Sequence, residues 1–220
     1  MIGRAAVCPA PPLLARELTG QTEVLPELRA ACAAAVAWLL EPGAQTAVVV
    51  GPGAGGRFGP VGLGTMLLDE AGWAGERVLQ PVGEDETPAA CAALGQSLAS
   101  RYPGAAMLVM GDGSARCSVT APGYLHEGAA EFNACVERAL REGDMDALAA
   151  LPAGLARELM ATGRPAWQVL AGAFGSAPPA DVRYADAPFG VFYLVARISR
   201  SGGRLASRTS CSSGSHSPAT

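Results

Sequence analysis

At 220 residues, half of them hydrophobic, the chain can bury one substantial core and is most simply a single domain. Its formal net charge of −4 supplies no basic footprint for nucleic acid. All 16 basic residues are arginine, which excludes a P-loop lysine, a Schiff-base lysine and a Ser-Lys dyad together.

In chain order, residues 4–8 form a short apolar strand candidate that runs into Pro9-Ala10-Pro11-Pro12-Leu13-Leu14, where prolines stop a ladder and fix an extended turn. Residues 27–40 carry Leu28, Cys32, Val36 and Leu39 or Leu40 at amphipathic helix spacing, and Pro42-Gly43 ends that helix. Residues 46–50 are β-branched and continuous, as in a buried central strand. A Gly-rich loop over 51–64 precedes a helix over 64–71. Residues 77–82 read as a strand, and 87–101 as a helix with Thr87 as N-cap and Pro88 in its first turn. A strand over 105–110 follows, then a helix over 128–142. Residues 145–162 form one long or two short helices interrupted near Pro152-Ala153-Gly154. A helix over 166–174 and a final strand over 191–198 complete the set. Strands alternating with helices predict an α/β domain over 1–198, its central sheet mixed and mostly parallel, with helices on both faces. Residues 199–220, rich in Ser, Gly, Arg and Thr, cannot offset their ordering entropy and read as a disordered tail.

The six cysteines, Cys8, Cys32, Cys91, Cys117, Cys135 and Cys211, make no C-x-x-C pair and fit no zinc-finger spacing. Scattered thiols without a signal peptide read as reduced, in a cytoplasmic protein. No apolar stretch approaches the eighteen or so residues of a membrane span, so neither membrane nor nucleic acid is expected as a partner.

The most informative segment is Gly111-Asp112-Gly113-Ser114-Ala115-Arg116, placed directly after the apolar strand 105–110. A buried strand that breaks into such a turn delivers polar side chains to a sheet edge, where α/β proteins keep their sites. Ala115 puts a methyl group where a reactive residue would be well placed.

Other motifs are weaker. Gly51-Pro52-Gly53-Ala54-Gly55-Gly56 satisfies the G-x-G-x-x-G dinucleotide pattern. Against it, Pro52 removes a donor inside the turn, and Arg57-Phe58-Gly59-Pro60 separates the third glycine from any helix. A glycine-rich surface loop is the better reading. Ser114, Asp112 and His126 contain the residue types of a hydrolase triad, but the serine lies in no G-x-S-x-G elbow. Asp112 capping a turn and a solvent-exposed His126 are the better reading. With only His126 and His216 in the chain, a two-His-one-carboxylate metal site cannot be built from the folded part.

Three segments together resemble the class III extradiol ring-cleavage dioxygenases, subunit-B-like branch. Val7-Cys8-Pro9-Ala10-Pro11-Pro12-Leu13-Leu14 looks like the family's N-terminal "PHPPLL" segment, and Val48-Val49-Val50-Gly51-Pro52-Gly53 like its strand ending in "PH". Met110 to Arg116, followed by Ala121-Pro122-Gly123-Tyr124, Gly128 and Glu131-Phe132-Asn133, looks like "SGDLSHR…PxGY…G…EFD". A weaker match places Glu158 to Arg164 and Leu170-Ala171-Gly172-Ala173 on the "ECG…LGA" region. The resemblance implies an α/β fold, a small-molecule ligand and paired subunits, here a homodimer. Its enzymes hold non-haem Fe(II) with two His and a Glu and use a further His as acid/base. In this chain the inferred His positions carry Ala10, Gly53 and Ala115, and the carboxylate position falls on or near Ala161. Side chains that cannot ligate stand at each, so no cofactor is expected and iron-dependent ring cleavage is not.

Cys8, Asp112, Ser114, Arg116 and Tyr124 then remain as pocket walls or turn architecture, with Asp112 and Ser114 capping turns and Arg116 ion-paired to Asp112. A pocket that binds a small anion through Arg116 is the rival. The expected function is a non-catalytic binding or interaction protein. The alternative is an oxidoreductase or hydrolase with a rearranged site, in which Cys8, Asp112, Cys117, Glu158 or His126 converge on a metal or supply a nucleophile.

Overall fold

The computed structural model describes residues 1–20, 23–41, 43–53 and 56–200. Strand β1 (Arg4–Cys8) leads through a 3-10 turn (Pro12–Leu14) and a short α1 (Arg16–Thr19) to α2 (Pro26–Leu40). Then come β2 (Thr46–Pro52), α3 (Pro60–Glu70), β3 (Glu76–Val82), α4 (Pro88–Arg101) and β4 (Ala106–Met110). Four helices follow: α5 (Gly128–Glu142), α6 (Met145–Ala149), α7 (Ala153–Glu158) and α8 (Arg164–Phe174). The last strands are β5 (Asp181–Asp186) and β6 (Tyr193–Ser199).

The six strands form one sheet in the order β3-β2-β4-β1-β6-β5. β3, β2, β4 and β1 are parallel, whereas β6 is antiparallel to both β1 and β5. The expected mixed, mostly parallel α/β sheet is therefore present. Period-two alternation splits the central strands between two cores. Val7, Val48, Val50, Met107 and Val109 face α4, α5, α6 and α8. Ala6, Cys8, Ala47, Val49, Leu108 and Met110 face α2 and α3. The crossovers through α2 and α3 step outward along the sheet over one face, and the crossover through α4 steps back over the other. All three thus keep one hand, as twisted strands require.

Close helix packing is written in glycine. A Cβ built on Gly64 of α3 would lie 2.6 Å from Val49 Cγ1, so only glycine lets α3 settle on β2. Between α4 and α8, a Cβ on Gly95 would lie 2.1 Å from the Val169 carbonyl, and one on Gly172 2.2 Å from that of Ala92. Backbones can approach this closely only without side chains between them.

Several boundaries differ from expectation. Helix α3 starts at Pro60 rather than residue 64, with Gly59 as N-cap and the missing proline N–H tolerated in the first turn. Strand β5 was not predicted; it lies at the sheet margin, polar and half-exposed, without the apolar run that marked the others. Residues 145–162 resolve into the two short helices α6 and α7. The domain also passes residue 198: β6 runs through Ser199, and the Arg200 amide donates to the Gly3 carbonyl at 2.9 Å. The remainder of the expected tail, 201–220, lies outside the described residues, as do Ala54 and Gly55 of the glycine-rich loop.

Candidate functional site at the carboxyl edge of the sheet

The parallel strands β1, β2, β3 and β4 all end on one edge, the position where open α/β sheets place their ligands. Their following segments carry Ala10, Gly53, Glu84 and the 111–116 turn, respectively.

The turn after β4 is held by nearly every group it offers. The Gly111 amide donates to Cys8 O at 3.0 Å and the Gly113 amide to Phe192 O at 2.8 Å. The Ser114 amide donates to Asn133 Oδ1 at 3.0 Å, and the Ser114 hydroxyl to Leu159 O at 3.0 Å. Ala115 N–H reaches the same Leu159 carbonyl at 3.1 Å, and Arg116 Nη1 donates to Glu158 O at 2.9 Å. These donors satisfy carbonyls left open at the C-terminus of α7. Much of the motif is therefore a cap that seats α7 on the sheet edge.

Asp112 differs from its neighbours. Its Oδ1 accepts the Ala10 amide at 2.7 Å, while its carbonyl accepts the Gly163 amide at 2.8 Å. Although the residue keeps some solvent exposure, its carboxyl sits in dense surroundings, and burial pushes its pKa from 3.8 to about 7. The Ala10 N–H acts in the opposite direction, favouring the charged form, and is outweighed. Behind it, the Cys32 thiol is raised by a hydrogen bond with Cys8 and by burial, and the Tyr193 phenol is raised chiefly by burial.

Two of the four positions inferred to have lost ligands are thus tied into this edge through Asp112 and α7: Ala10 bonds Asp112, and Ala115 bonds Leu159. Ala161 follows the α7 cap and lines a cavity of about 210 Å³ between α7, the start of α8 and the segment after β3. Gly53, at φ +81°, stands beside Glu84, whose Oε1 would be 3.4 Å from a Cβ there. None of the four carries a donor atom on its side chain. Among the described residues no group of three His, Cys, Asp or Glu side chains could hold a metal ion. The side chains at those four positions do not fit an Fe(II) centre.

The other singled-out residues separate. Arg116 is not paired with Asp112; its Nε donates to Gly123 O at 2.7 Å, and its cationic end is engaged by backbone carbonyls. Tyr124 is 73% exposed and held at φ +59°, so it is a surface residue rather than a pocket wall. Cys8 is fully buried in the α2-side core. His126 accepts the Gly128 amide at Nδ1, 3.1 Å, and hydrogen-bonds neither Ser114 nor Asp112 among the described residues. With the Ser114 hydroxyl spent on Leu159 O, the three do not form a triad. Cys117 and His126 share the wall of a different cavity, about 410 Å³, where Asn133 Nδ2 donates to Cys117 Sγ at 3.2 Å. Glu158 supplies its carbonyl to Arg116. The five described cysteines are all free thiols.

At the glycine-rich loop, Gly51 and Pro52 are the last residues of β2, and the helix opens only at Pro60. A Cβ on Gly62, in its first turn, would lie 2.1 Å from Gly56 O and 2.4 Å from Arg57 O. Carbonyls therefore lie against the helix start where a pyrophosphate site would need donors.

Sequence reading missed Glu84 and Arg164, which the fold places on the 210 Å³ cavity. The Glu84-Asp85-Glu86 run immediately after a predicted strand was the available signal for the first. Nothing local marks Arg164, an arginine only 2% exposed.

No protein-family model and no curated protein matches the chain. Among solved structures, the crystal structure of an uncharacterized Escherichia coli K12 protein, JW3007, is similar, with a TM-score of 0.53 and 13% identity. The match covers 90% of this chain and 100% of that one, and at such identity it shows a shared fold. No helix among the described residues is long and apolar enough to cross a membrane.

Proposed function

We propose that this chain is a class III extradiol dioxygenase-like protein that has given up iron chemistry and binds a small molecule at the carboxyl edge of its sheet, as a cytoplasmic pseudoenzyme. The observation that carries the reading is the Asp112–Ala10 bond: where the family resemblance asks for a ligand histidine, an alanine amide instead holds a carboxyl with a pKa near 7. Such a group can donate or accept a hydrogen bond at neutral pH, which suits recognition of a neutral hydroxylated ring. The fold-level similarity is to an uncharacterized protein and speaks to the fold alone.

The test is metal analysis with ligand binding. Purified protein should carry far less than one iron per chain and melt unchanged after chelation. Catechol should raise its melting temperature, and Asp112→Asn should weaken that effect. Stoichiometric iron with chelation-sensitive melting would overturn the proposal.

A second reading, an enzyme with a rearranged site, is favoured by the same raised pKa, since a carboxyl poised near 7 suits general acid–base work. Turnover with a pH profile that Asp112→Asn abolishes would select it. Nucleotide binding at Gly51 to Gly56 predicts a melting shift with millimolar dinucleotide.

A further inference from the structure

The 210 Å³ cavity beside Ala161 has chemistry that the preceding reading does not use. Its volume is below the 300–1,000 Å³ or so of sites for drug-sized ligands, which restricts it to a small metabolite. Two walls meet there: the segment after β3, with Glu84 and Asp85, and the α7–α8 connection, with Arg157, Met160, Thr162 and Arg164. Across them runs an exposed ion pair, Arg157 Nη2 to Asp85 Oδ1 at 2.5 Å.

Beneath that pair lies Arg164, 2% exposed. Its guanidinium donates to Glu86 O at 2.8 Å, Glu84 O at 2.5 Å and Gln168 Oε1 at 2.8 Å. All three acceptors are neutral. Among the described residues Arg164 forms no ion pair, and neither does Glu84 on the facing wall. A buried cation held only by neutral oxygens keeps an uncompensated charge, which costs free energy unless something negative reaches it. Glu84, exposed on the facing wall, has no cationic partner there among the described residues and so is free to meet one.

Met160 adds a third, independent feature to the wall. It occupies the left-handed position after α7, φ +54°, with the Ala161 amide returning to Ala156 O at 2.8 Å. Glycine is the usual residue in that cap, and a bulky side chain there is strained. The residue is 47% exposed and its side chain forms part of the cavity wall, with Sδ against Gly123.

We infer that this cavity binds a small zwitterion, an aliphatic α-amino acid, with its carboxylate on Arg164, its ammonium on Glu84 and its side chain against Met160. A simple anion would meet the carboxylates of Glu84 and Asp85, and a simple cation would meet Arg157 and Arg164. A zwitterion neutralises both unpaired charges at once. This rests on the carboxyl edge being a small-molecule site, and it names a ligand for the part of that edge away from Asp112.

The experiment is calorimetric titration of the full chain with L-valine, isobutyrate and isobutylamine, alongside catechol as the probe of the Asp112 side. Valine should bind, and each analogue lacking one charge should bind at least about tenfold more weakly, since a hydrogen bond to a charged group contributes about 1.5–3 kcal/mol. Glu84→Gln should reduce valine affinity by about the same factor and leave isobutyrate binding unchanged. Arg164→Lys is the partner variant, with circular dichroism to show that it folds; should it not fold, the Glu84→Gln result decides. Valine binding no tighter than isobutyrate, or insensitive to Glu84→Gln, overturns the inference. If catechol binds and valine does not, the inference falls and the broader reading stands; if neither binds, both fall.

Discussion

The amide of Ala10 donates to Oδ1 of Asp112 across 2.7 Å, joining residues 102 positions apart and fastening the loop after β1 to the turn after β4. One N–H favours the carboxylate, but burial is the larger effect and sets the pKa near 7. The bond fixes the geometry of the edge without fixing its charge.

That balance has a pH signature. An unfolded Asp112 loses its proton near 3.8, whereas the folded one keeps it until about 7. Between these values the folded state binds the extra proton, so its stability falls as pH rises and levels off above about 7. The linkage ceiling is on the order of 4 kcal/mol, reduced by the partial exposure of Asp112. Asp112→Asn keeps an acceptor for Ala10 and cannot ionise. It should match the parent near pH 4 and be more stable at pH 8, as read from urea midpoints. Parallel pH profiles for the two proteins would rule out the raised pKa.

The α4–α8 contact makes a second prediction. Gly172→Ala gains roughly 1 kcal/mol of helix propensity but drives a methyl to 2.2 Å from the Ala92 carbonyl. A backbone oxygen cannot step aside as a flexible side chain can, so overpacking wins. A net loss of about 1–3 kcal/mol is expected in chemical denaturation. An unchanged midpoint would mean that α4 and α8 pack less closely than described.

How much of this was legible in the sequence follows from the range of the forces involved. The strands β1, β2 and β4 announced themselves because buried parallel strands are continuously apolar. Thr87 announced the start of α4, and its hydroxyl does accept the Ala90 amide at 3.2 Å. β5 stayed hidden because a marginal strand needs no apolar run. At the site, Asp112 was legible as a turn residue after a strand. Its partner was not, since the Ala10 amide belongs to the backbone and carries no residue signature. The supposed Arg116–Asp112 pair failed for a related reason: the nearest acceptors for Arg116 are the carbonyls of Gly123 and Glu158, brought there by the α7 cap. Arg164 was illegible because its burial depends on loops 78 and 80 positions away.

The end of the domain gives a third prediction. Arg200 donates to Ile2 O at 3.1 Å and Ala173 O at 3.2 Å, bonds Phe174 O, and stacks 4.7 Å from the Phe174 ring centroid. These contacts clamp the end of β6 to the C-terminus of α8, where a cation is favourable. A chain ending at Arg200 should keep its cooperative melt, whereas one ending at Ile198 should lose several degrees. Arg200→Ala in the full chain should cost about 1–2 kcal/mol, with part of the loss coming from packing. Equal melting of the two shortened chains would remove Arg200 from the fold.

Met160 sets stability against binding in a single residue. Holding a non-glycine residue in the left-handed region costs roughly 1–2 kcal/mol, and Met160→Gly should recover about 1 kcal/mol of it after the added freedom of the unfolded chain is counted. If the side chain served only as a helix cap, the glycine variant would be more stable and otherwise identical. With the Met160 side chain forming part of the cavity wall, the same variant should be more stable and bind valine several-fold more weakly. Paired denaturation and titration therefore separate strain kept for a ligand from strain kept for nothing: a gain in stability with unchanged valine affinity would take Met160 out of the site.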